Sequence, residues 1–285
     1  MNVYDKLGNT IQLAEMTDLM NPNLLINSDF RSGIINQQGE TQYIHGNGSR
    51  TYGIDCWYVN GENSSMAIND KFLSLNLHNN GDFGCVLNIN KDYEKYFTFT
   101  IQRNLVEAQS VTFDVSTMNE NQDYFFDIDD NTKIGIYFWT SSKAYKAWFY
   151  LKRDGVTNID FMKLERGKYF TGMPAWNEAE ELLKCQRYLF SCYKISGYGF
   201  EIGEGNVYIY VNIPTPMKKQ GAIRVGSTLQ VIGDGAYKTL TISGVNVSSQ
   251  DNNLVILSGV LSEVGNLNIV KIFEFNNFTL DAYDY

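Results

Sequence analysis

The residue types that most often supply a nucleophile, a general base or a metal ligand are few and scattered in this chain. The two histidines and four cysteines are His45, Cys56, His78, Cys85, Cys185 and Cys192. The cysteines form no C-x-x-C pair, and the histidines and cysteines do not have the spacing of metal ligands. The sequence also lacks the G-x-S-x-G motif of a serine nucleophile. Nucleophilic catalysis needs a base beside the nucleophile. The sequence therefore predicts unbridged, buried thiols, typical of a reducing cytoplasm, and no enzyme of the Ser-His-Asp or Cys-His kind.

Acidic residues offer two further kinds of chemistry, calcium binding and glycoside hydrolysis. Asp127 begins an acidic run, but the Gly and Glu that an EF-hand needs at its sixth and twelfth positions are Thr132 and Phe138 here. The run therefore predicts a solvated turn. Hydrolysis of a glycoside needs only two carboxylates a few ångströms apart, and no spacing among the 32 acidic residues identifies such a pair. A polysaccharide depolymerase remains the weaker alternative.

Aromatic side chains are the most abundant source of possible ligand contacts, with 17 Phe, 19 Tyr and 4 Trp. Aromatic faces stack on the C–H faces of sugars, while neighbouring polar groups bind hydroxyls. The candidate saccharide-binding residues are Tyr43, Tyr52, Tyr58, Trp139 and Tyr145. Trp139 and Tyr145 flank a polar turn and are expected to be the most exposed. Trp57 and Trp148 are further candidates but are the most core-like, so we expect them in the core, and core packing is the alternative for every candidate.

The overall charge excludes several partners. A net charge of −9 disfavours nucleic acid, which proteins bind through Lys and Arg, and anionic lipid. No run approaches the roughly 18 apolar residues of a membrane span, so we expect no membrane insertion. The N-terminal residues lack the basic and apolar regions of a secretion signal, and we expect assembly in the cytoplasm.

Alternating polar and apolar residues predict a mainly β fold. After a short polar arm at 1–22, residues 23–172 contain several short alternating segments separated by Gly- and Asn-containing turns, which is typical of a β-sandwich or jelly roll. Residues 173–197 form a predicted linker and helix. Alternation returns at 198–285, where we expect a smaller β domain.

A single helix is predicted at 178–194. Asn177 and Glu180 form a capping-box pattern, and Gly197 can end the helix. Four residues on this segment follow the three-four-three spacing of a narrow coiled-coil seam, namely Leu182, Cys185, Leu189 and Cys192. Leu183 and Phe190 form a neighbouring stripe. The two stripes predict either a homotrimer or one wide core face within the chain.

Four segments, taken in order, resemble a known family. Residues 23–30 (NLLINSDF) and 52–57 (YGIDCW) are similar to the N-L-L-I-N-G-D-F and Y-x-A-D-R-W motifs of carbohydrate-binding-module-like jelly rolls in phage tail fibres. Residues 161–167 (FMKLERG) resemble the closing strand of that module. Residues 180–188 (EELLKCQRY) resemble the helix that leads into its C-terminal β domain. Cys56 replaces the usual Arg, and 172–176 replaces the usual linker.

The resemblance implies a non-catalytic virion appendage. Such proteins are often trimeric, bind host cell-surface glycans or pack against other tail and baseplate proteins, and belong to a phage tail or a tail-derived particle. A structural tail component is therefore the main alternative to saccharide binding. Some related jelly rolls hold a structural calcium ion, for which the matching positions are Asn27, Asp29 and Asp160. Carboxylate and amide oxygens suit Ca²⁺, and hydrogen-bonded strand ends are the alternative. No other cofactor is expected.

Overall fold

The computed structural model describes residues 3–4, 10–11, 21–46, 50–89, 95–141, 144–203, 206–214, 222–224, 228–233, 236–251, 253–261 and 271–281. These residues divide into two compact units. The first comprises the described parts of 1–34 and 40–178, and the second those of 35–39 and 179–285. Only 3–4, 10–11 and 21–22 of the predicted arm are described. In the described part of the chain, no helix is long and apolar enough to cross a membrane.

The first unit contains two antiparallel six-stranded sheets. In spatial order, the first sheet contains β10 (Gln109–Asp114), β9 (Tyr96–Arg103), β14 (Gly155–Arg166), β7 (Phe72–Leu77), β6 (Ser65–Asn69) and β3 (Gln42–Ile44). The second sheet contains β11 (Asp123–Asp129), β12 (Thr132–Ser141), β13 (Ala144–Arg153), β8 (Asp82–Asn88), β5 (Tyr58–Asn60) and β4 (Thr51–Tyr52). Two short strands, β1 (Val3–Tyr4) and β2 (Thr10–Ile11), pair with each other, and a 3-10 turn at Val115–Thr117 follows β10.

The two sheets pack face to face over one core. The rings of Phe99 and Phe149, one from each sheet, have centroids 5.0 Å apart. Trp57 is fully buried and stacks on Phe83 at 4.6 Å, which confirms its predicted place in the core. The strands alternate as the sequence predicts, so the mainly β class with one described helix is confirmed. The jelly-roll connectivity remains a prediction.

The helix, α1 (Glu178–Gln186), is half as long as predicted. It begins where Asn177 and Glu180 indicate. It ends at Gln186, where the backbone N–H of Tyr188 donates to the carbonyl of Cys185 at 2.9 Å. The predicted helix to residue 194 is wrong, because the chain pairs as a strand from Leu189 onward. Leu189 and Cys192 therefore lie outside the helix and cannot form the predicted coiled-coil seam with Leu182 and Cys185.

The second unit is an antiparallel sheet closed on itself. In spatial order it contains β15 (Leu189–Gly203), β16 (Asn206–Asn212), β20 (Leu254–Leu261), β19 (Ala236–Asp251), β18 (Thr228–Gly233) and β21 (Lys271–Asp281), and β21 returns to β15. A short strand, β17 (Ala222–Arg224), also pairs with β21. The three phenylalanines at 273, 275 and 278 are fully buried in its core. Gln37 joins this unit by donating to the carbonyl of Leu189 at 2.6 Å.

Gly197 lies in the middle of β15 instead of ending a helix. A Cβ atom added at this position would lie 2.6 Å from the carbonyl oxygen of Tyr210 on the neighbouring strand. The glycine therefore allows two strands of the closed sheet to approach each other.

Candidate functional site

Strand alternation gives the second sheet an outer face rich in aromatic residues. On β13, Phe149 and Leu151 point into the core, each 1% exposed. Because successive side chains point to opposite sides of a strand, Trp148, Tyr150 and Lys152 lie on the other side. We call this surface the aromatic face, and define it by Arg50, Tyr52, Tyr58, Asp82, Phe125, Tyr137, Trp148, Tyr150 and Lys152.

Glycines make room for the rings in the central row of this face. The strand register places Tyr58 beside Gly84, Gly84 beside Tyr150, and Tyr150 beside Gly135. A Cβ atom added at Gly135 would overlap the ring of Tyr150, and one at Gly84 would lie 2.7 Å from the hydroxyl oxygen of Tyr58. Tyr58 and Tyr150 are therefore packed close to the sheet, 1% and 6% exposed, and form the floor of the site.

The neighbouring row provides the accessible rings. Tyr137 and Trp148 are cross-strand partners on β12 and β13. Their ring centroids lie 5.5 Å apart with planes inclined by 27°. Both side chains are half-buried, so part of each ring is open to solvent. The two rings stack on each other and form a platform in which Arg50 covers the Trp148 ring, so the open surface for another ring is that of Tyr137 together with the exposed edge of Trp148.

Arg50 lies on two of these aromatic rings. Its guanidinium carbon is 3.7 Å from the centroid of Trp148 and 4.9 Å from that of Tyr58. Both distances are within the range in which a cation is attracted to a ring face. Tyr52 contacts Tyr58 edge to face at 5.8 Å. The planar guanidinium is therefore held in one orientation by aromatic contacts.

Two polar atoms of this site lack hydrogen-bond partners. The Oδ2 atom of Asp82 accepts a hydrogen bond from Asn60 at 3.2 Å, whereas its Oδ1 atom is buried and accepts none. The Nε atom of Arg50 is also buried and donates to no other atom. An unsatisfied buried polar group costs about 1–3 kcal/mol. The site therefore has one acceptor and one donor that a small rearrangement could bring to a ligand.

Burial changes the proton affinity of several groups on the aromatic face. Loss of solvent raises the pKa of Asp82, against the opposing effects of the Asn60 hydrogen bond and the Arg50 charge. Burial also raises the pKa of the Tyr58 hydroxyl well above its ordinary value. The pKa of Tyr150 rises because of burial first and then because its hydroxyl donates to Asp123. Both phenols therefore stay protonated at neutral pH, and the Tyr150 proton is already donated to Asp123.

Of the three predicted saccharide-binding residues whose side chains the structure describes, two lie within this site. Tyr52 is half-buried at its edge, and Tyr58 forms part of its floor beneath Arg50. Tyr43 is 7% exposed and packs in the core of the first unit, so it cannot contact a ligand there. Trp139 and Tyr145 belong to paired strands, but their side chains lie outside the described residues.

Trp148, expected in the core, is the main correction. It alternates with buried Phe149 and lies on the aromatic face, half-buried. Arg50, Tyr137 and Asp82 also belong to the aromatic face, although they were not among the residues predicted from the sequence. The signal for Tyr137 and Trp148 was present, because each lies one residue away from core positions of strong period-two segments. Nothing local to the sequence indicated Arg50.

The three residues matched to a calcium site have other partners. The carboxylate of Asp29 accepts from Arg31 Nε and from Ser32 Oγ, both at 3.1 Å. Asp160 Oδ2 accepts from the backbone N–H of Leu105 at 2.6 Å, and Asn27 donates to the carbonyl of Asp55. With a guanidinium beside Asp29 and both its oxygens used, this arrangement does not fit Ca²⁺. It fits the alternative of hydrogen-bonded strand ends.

Within the described ranges, no group of three or more His, Cys, Asp or Glu side chains is placed to hold a metal ion.

The chemistry that the aromatic face offers is recognition of a ligand. It combines partly exposed rings, a fixed guanidinium and a buried carboxylate, which suit a ligand with both C–H faces and polar substituents. Comparison with known protein families, with curated proteins and with solved structures finds no match to this chain.

Proposed function

We propose that this protein is a non-catalytic saccharide-binding appendage of a phage tail or a tail-derived particle, and that it binds glycans of the host cell surface. The observation that carries the binding activity is the platform of Tyr137 and Trp148 with Arg50 lying against it. The assignment to a tail rests on the sequence motifs at 23–30, 52–57, 161–167 and 180–188.

A saccharide is the ligand class that best matches the chemistry of the aromatic face. A pyranose ring has an apolar C–H face, which stacks on aromatic rings, and a rim of hydroxyls, each able to donate and to accept. Tyr137, with the exposed edge of Trp148, supplies the stacking surface. Asp82 and Arg50 supply an acceptor and donors beside it.

The positions of the acidic residues argue against glycoside hydrolysis on this face. Asp82 and Asp123 lie on β8 and β11, three strands apart, which is about 14 Å between strand axes. Asp127 is four residues from Asp123 on the same strand, about 13 Å along it. Catalytic carboxylate pairs lie about 5–9.5 Å apart. These three carboxylates are therefore too far apart, which supports a binding role.

A glycan array with aromatic variants tests the proposal. We expect the wild-type protein to bind a subset of bacterial surface saccharides, and Trp148→Ala with Tyr137→Ala to abolish that binding. The matched control is Tyr198→Ala with Tyr210→Ala, which removes a stacked pair with centroids 5.5 Å apart in the second unit. Binding that survives the first pair and is lost with the second would place the site elsewhere. The absence of any bound saccharide would overturn the proposal.

A structural role in the tail is the second candidate, and the second unit has a feature that favours it. Several apolar side chains on its outer surface are exposed, namely Tyr198 (49%), Phe200 (36%), Ile202 (55%) and Val260 (41%). Exposed apolar patches mark protein contacts. If this role is correct, Phe200→Ser with Ile202→Ser will prevent incorporation into purified particles and leave saccharide binding unchanged.

A homotrimer is the assembly that the family resemblance implies. The helical seam no longer supports it, because Leu189 and Cys192 belong to β15. Light scattering distinguishes a monomer from a trimer directly. A mass of 32.5 kDa at micromolar concentration would contradict the trimer, and a particle three times as heavy would support it.

A further inference from the structure

Arg50 differs from two other arginines of the first unit in having no ion-pair partner among the residues that the structure describes. Arg31 also lies over an aromatic ring, 4.4 Å from the centroid of Phe161, and pairs with Asp29 at 3.1 Å. Arg103 pairs with Asp129 and is nearly buried. Arg50 forms no ion pair with any residue in the described ranges. Among the described residues, its positive charge lies against aromatic rings and acts on Asp82 without an ion pair.

The geometry of Arg50 leaves part of its guanidinium available. A guanidinium that lies flat on a ring has its N–H bonds directed outward in its own plane. Trp148 contacts its face, Arg50 also donates to the Tyr58 hydroxyl, and the residue is only half-buried, so some of its N–H groups remain open to solvent. The N–H groups of such an arginine match the two oxygens of a carboxylate, which they bind by two parallel hydrogen bonds.

The acidic residues of the same face do not occupy this position. Asp82 accepts from Asn60, and the Arg50 charge acts on it without an ion pair between the two side chains. Asp123 accepts from the hydroxyl of Tyr150, and Asp127 pairs with Lys133 at 3.2 Å. Each carboxylate of the face thus has a partner other than Arg50, and the arginine remains available for an anion from outside.

We propose that the aromatic face selects saccharides that carry a carboxylate, such as uronic acids, and that Arg50, lying on Trp148, binds the carboxylate while Tyr137 and the exposed edge of Trp148 contact the sugar ring. This inference rests on the proposed saccharide-binding function and specifies its ligand class. Arg50 is the specificity-determining residue, and the two rings provide binding common to acidic and neutral sugars.

Matched pairs of oligosaccharides test the selectivity. Oligomers of galacturonate, glucuronate and mannuronate are compared with their carboxyl-reduced forms, which keep the linkages and ring shapes but carry CH₂OH in place of the carboxylate. We expect at least one acidic oligomer to bind about tenfold or more tightly than its reduced partner, the range for a hydrogen bond to a charged group. Isothermal titration calorimetry measures both affinities.

Two variants, one that removes a positive charge and one that removes a negative charge, identify the side chain that recognises the carboxylate. Arg50→Gln should remove the preference, bringing the acidic oligomer to the affinity of the reduced one. Asp82→Asn should strengthen binding of the acidic oligomer, because it removes a negative charge near the bound carboxylate without changing the shape of the side chain. Arg31→Gln is the matched control, since it removes an arginine that also lies on a ring but is already paired, and it should change neither affinity.

The outcomes separate this inference from the proposed function. Equal affinity for acidic and reduced oligomers, or a preference that persists in Arg50→Gln, would overturn the selectivity and leave saccharide binding intact. Failure of every saccharide to bind would overturn both. If Arg50→Gln does not fold, the Asp82→Asn variant decides, and weaker or unchanged binding of the acidic oligomer in that variant would contradict the proposal.

Discussion

Charged residues on the two outer faces of the first unit differ in whether other residues of the chain satisfy them. On the first sheet, Lys163 and Glu165 are completely buried and pair at 3.0 Å. The chain that follows β14 covers them, and Lys163 also donates to Thr171 and to the carbonyl of Gly172. On the second sheet, Arg50 has no ion-pair partner within the described residues and Asp82 has an unsatisfied oxygen.

This difference separates a structural face from a binding face. A buried charge whose hydrogen bonds are all made within the chain has nothing to offer a ligand, and its removal affects folding. A charge held in place by aromatic rings, with donors left over, can act on a molecule from outside. Changes on the covered face should therefore affect stability, and changes on the aromatic face should affect binding.

The largest expected effect is on the covered face. Lys163→Met leaves Glu165 as a buried charge without its cation, and we expect the free energy of unfolding to fall by about 3–5 kcal/mol. Urea denaturation measures the change. Lys163→Met combined with Glu165→Gln should recover part of the loss, because the uncompensated charge is gone. A loss under 1 kcal/mol for the single variant, roughly the value of an exposed ion pair, would mean that the pair is solvated.

An intermediate effect is expected where a ring lies on a glycine. Gly135→Ala forces the ring of Tyr150 off the sheet, which should cost about 1–3 kcal/mol of stability as overpacking and weaken saccharide binding by disturbing the floor of the site. Gly46→Ala is the control, because nothing lies within 4 Å of its added Cβ. Calorimetric unfolding and binding titration check both variants. Unchanged binding in Gly135→Ala would show that the position of Tyr150 does not affect saccharide binding.

A smaller effect concerns pH. Burial raises the pKa of Asp82 in the folded protein, so between its unfolded and folded pKa values the folded state holds more protons. Stability from this group is therefore present at low pH and is lost as pH rises through the folded pKa, by at most about 1.4 kcal/mol per pH unit. Asp82→Asn should remove that loss. Urea midpoints of both proteins, measured from pH 4 to 7, should diverge as pH rises, and parallel curves would contradict the assignment.

The smallest effect is expected at the exposed edge of the second sheet. Lys133 and Asp127 pair at 3.2 Å, with side chains 52% and 71% exposed. Lys133→Ala should change the free energy of unfolding by less than about 0.5 kcal/mol, because water competes with such pairs. Chemical denaturation tests this value, and a loss above 1 kcal/mol would show that the edge of the aromatic face contributes to its stability.

Much of the candidate site was beyond sequence reasoning. The aromatic content predicted a binding surface, and Tyr52 and Tyr58 do lie on it. Trp148 was expected in the core because it is large and apolar. The sequence of its strand does not show which of the two faces is buried, and the register with β8 and β12 decides this. Arg50 reaches the site from a segment about 100 residues away in sequence from Trp148, and no local pattern records such a contact.

Local pattern by itself determined the strand-rich class, the start of the helix at Glu178 and the burial of Trp57, because alternation, capping and aromatic bulk act over a few residues. Tertiary structure alone decided where the helix ends. The segment from Leu189 has apolar residues that satisfy a helical period and a strand period alike, and its pairing with β21, about 80 residues later, selects the strand. The same holds for Arg50. Which partner a residue meets across the fold depends on packing between distant segments, and that information is distributed over the whole chain.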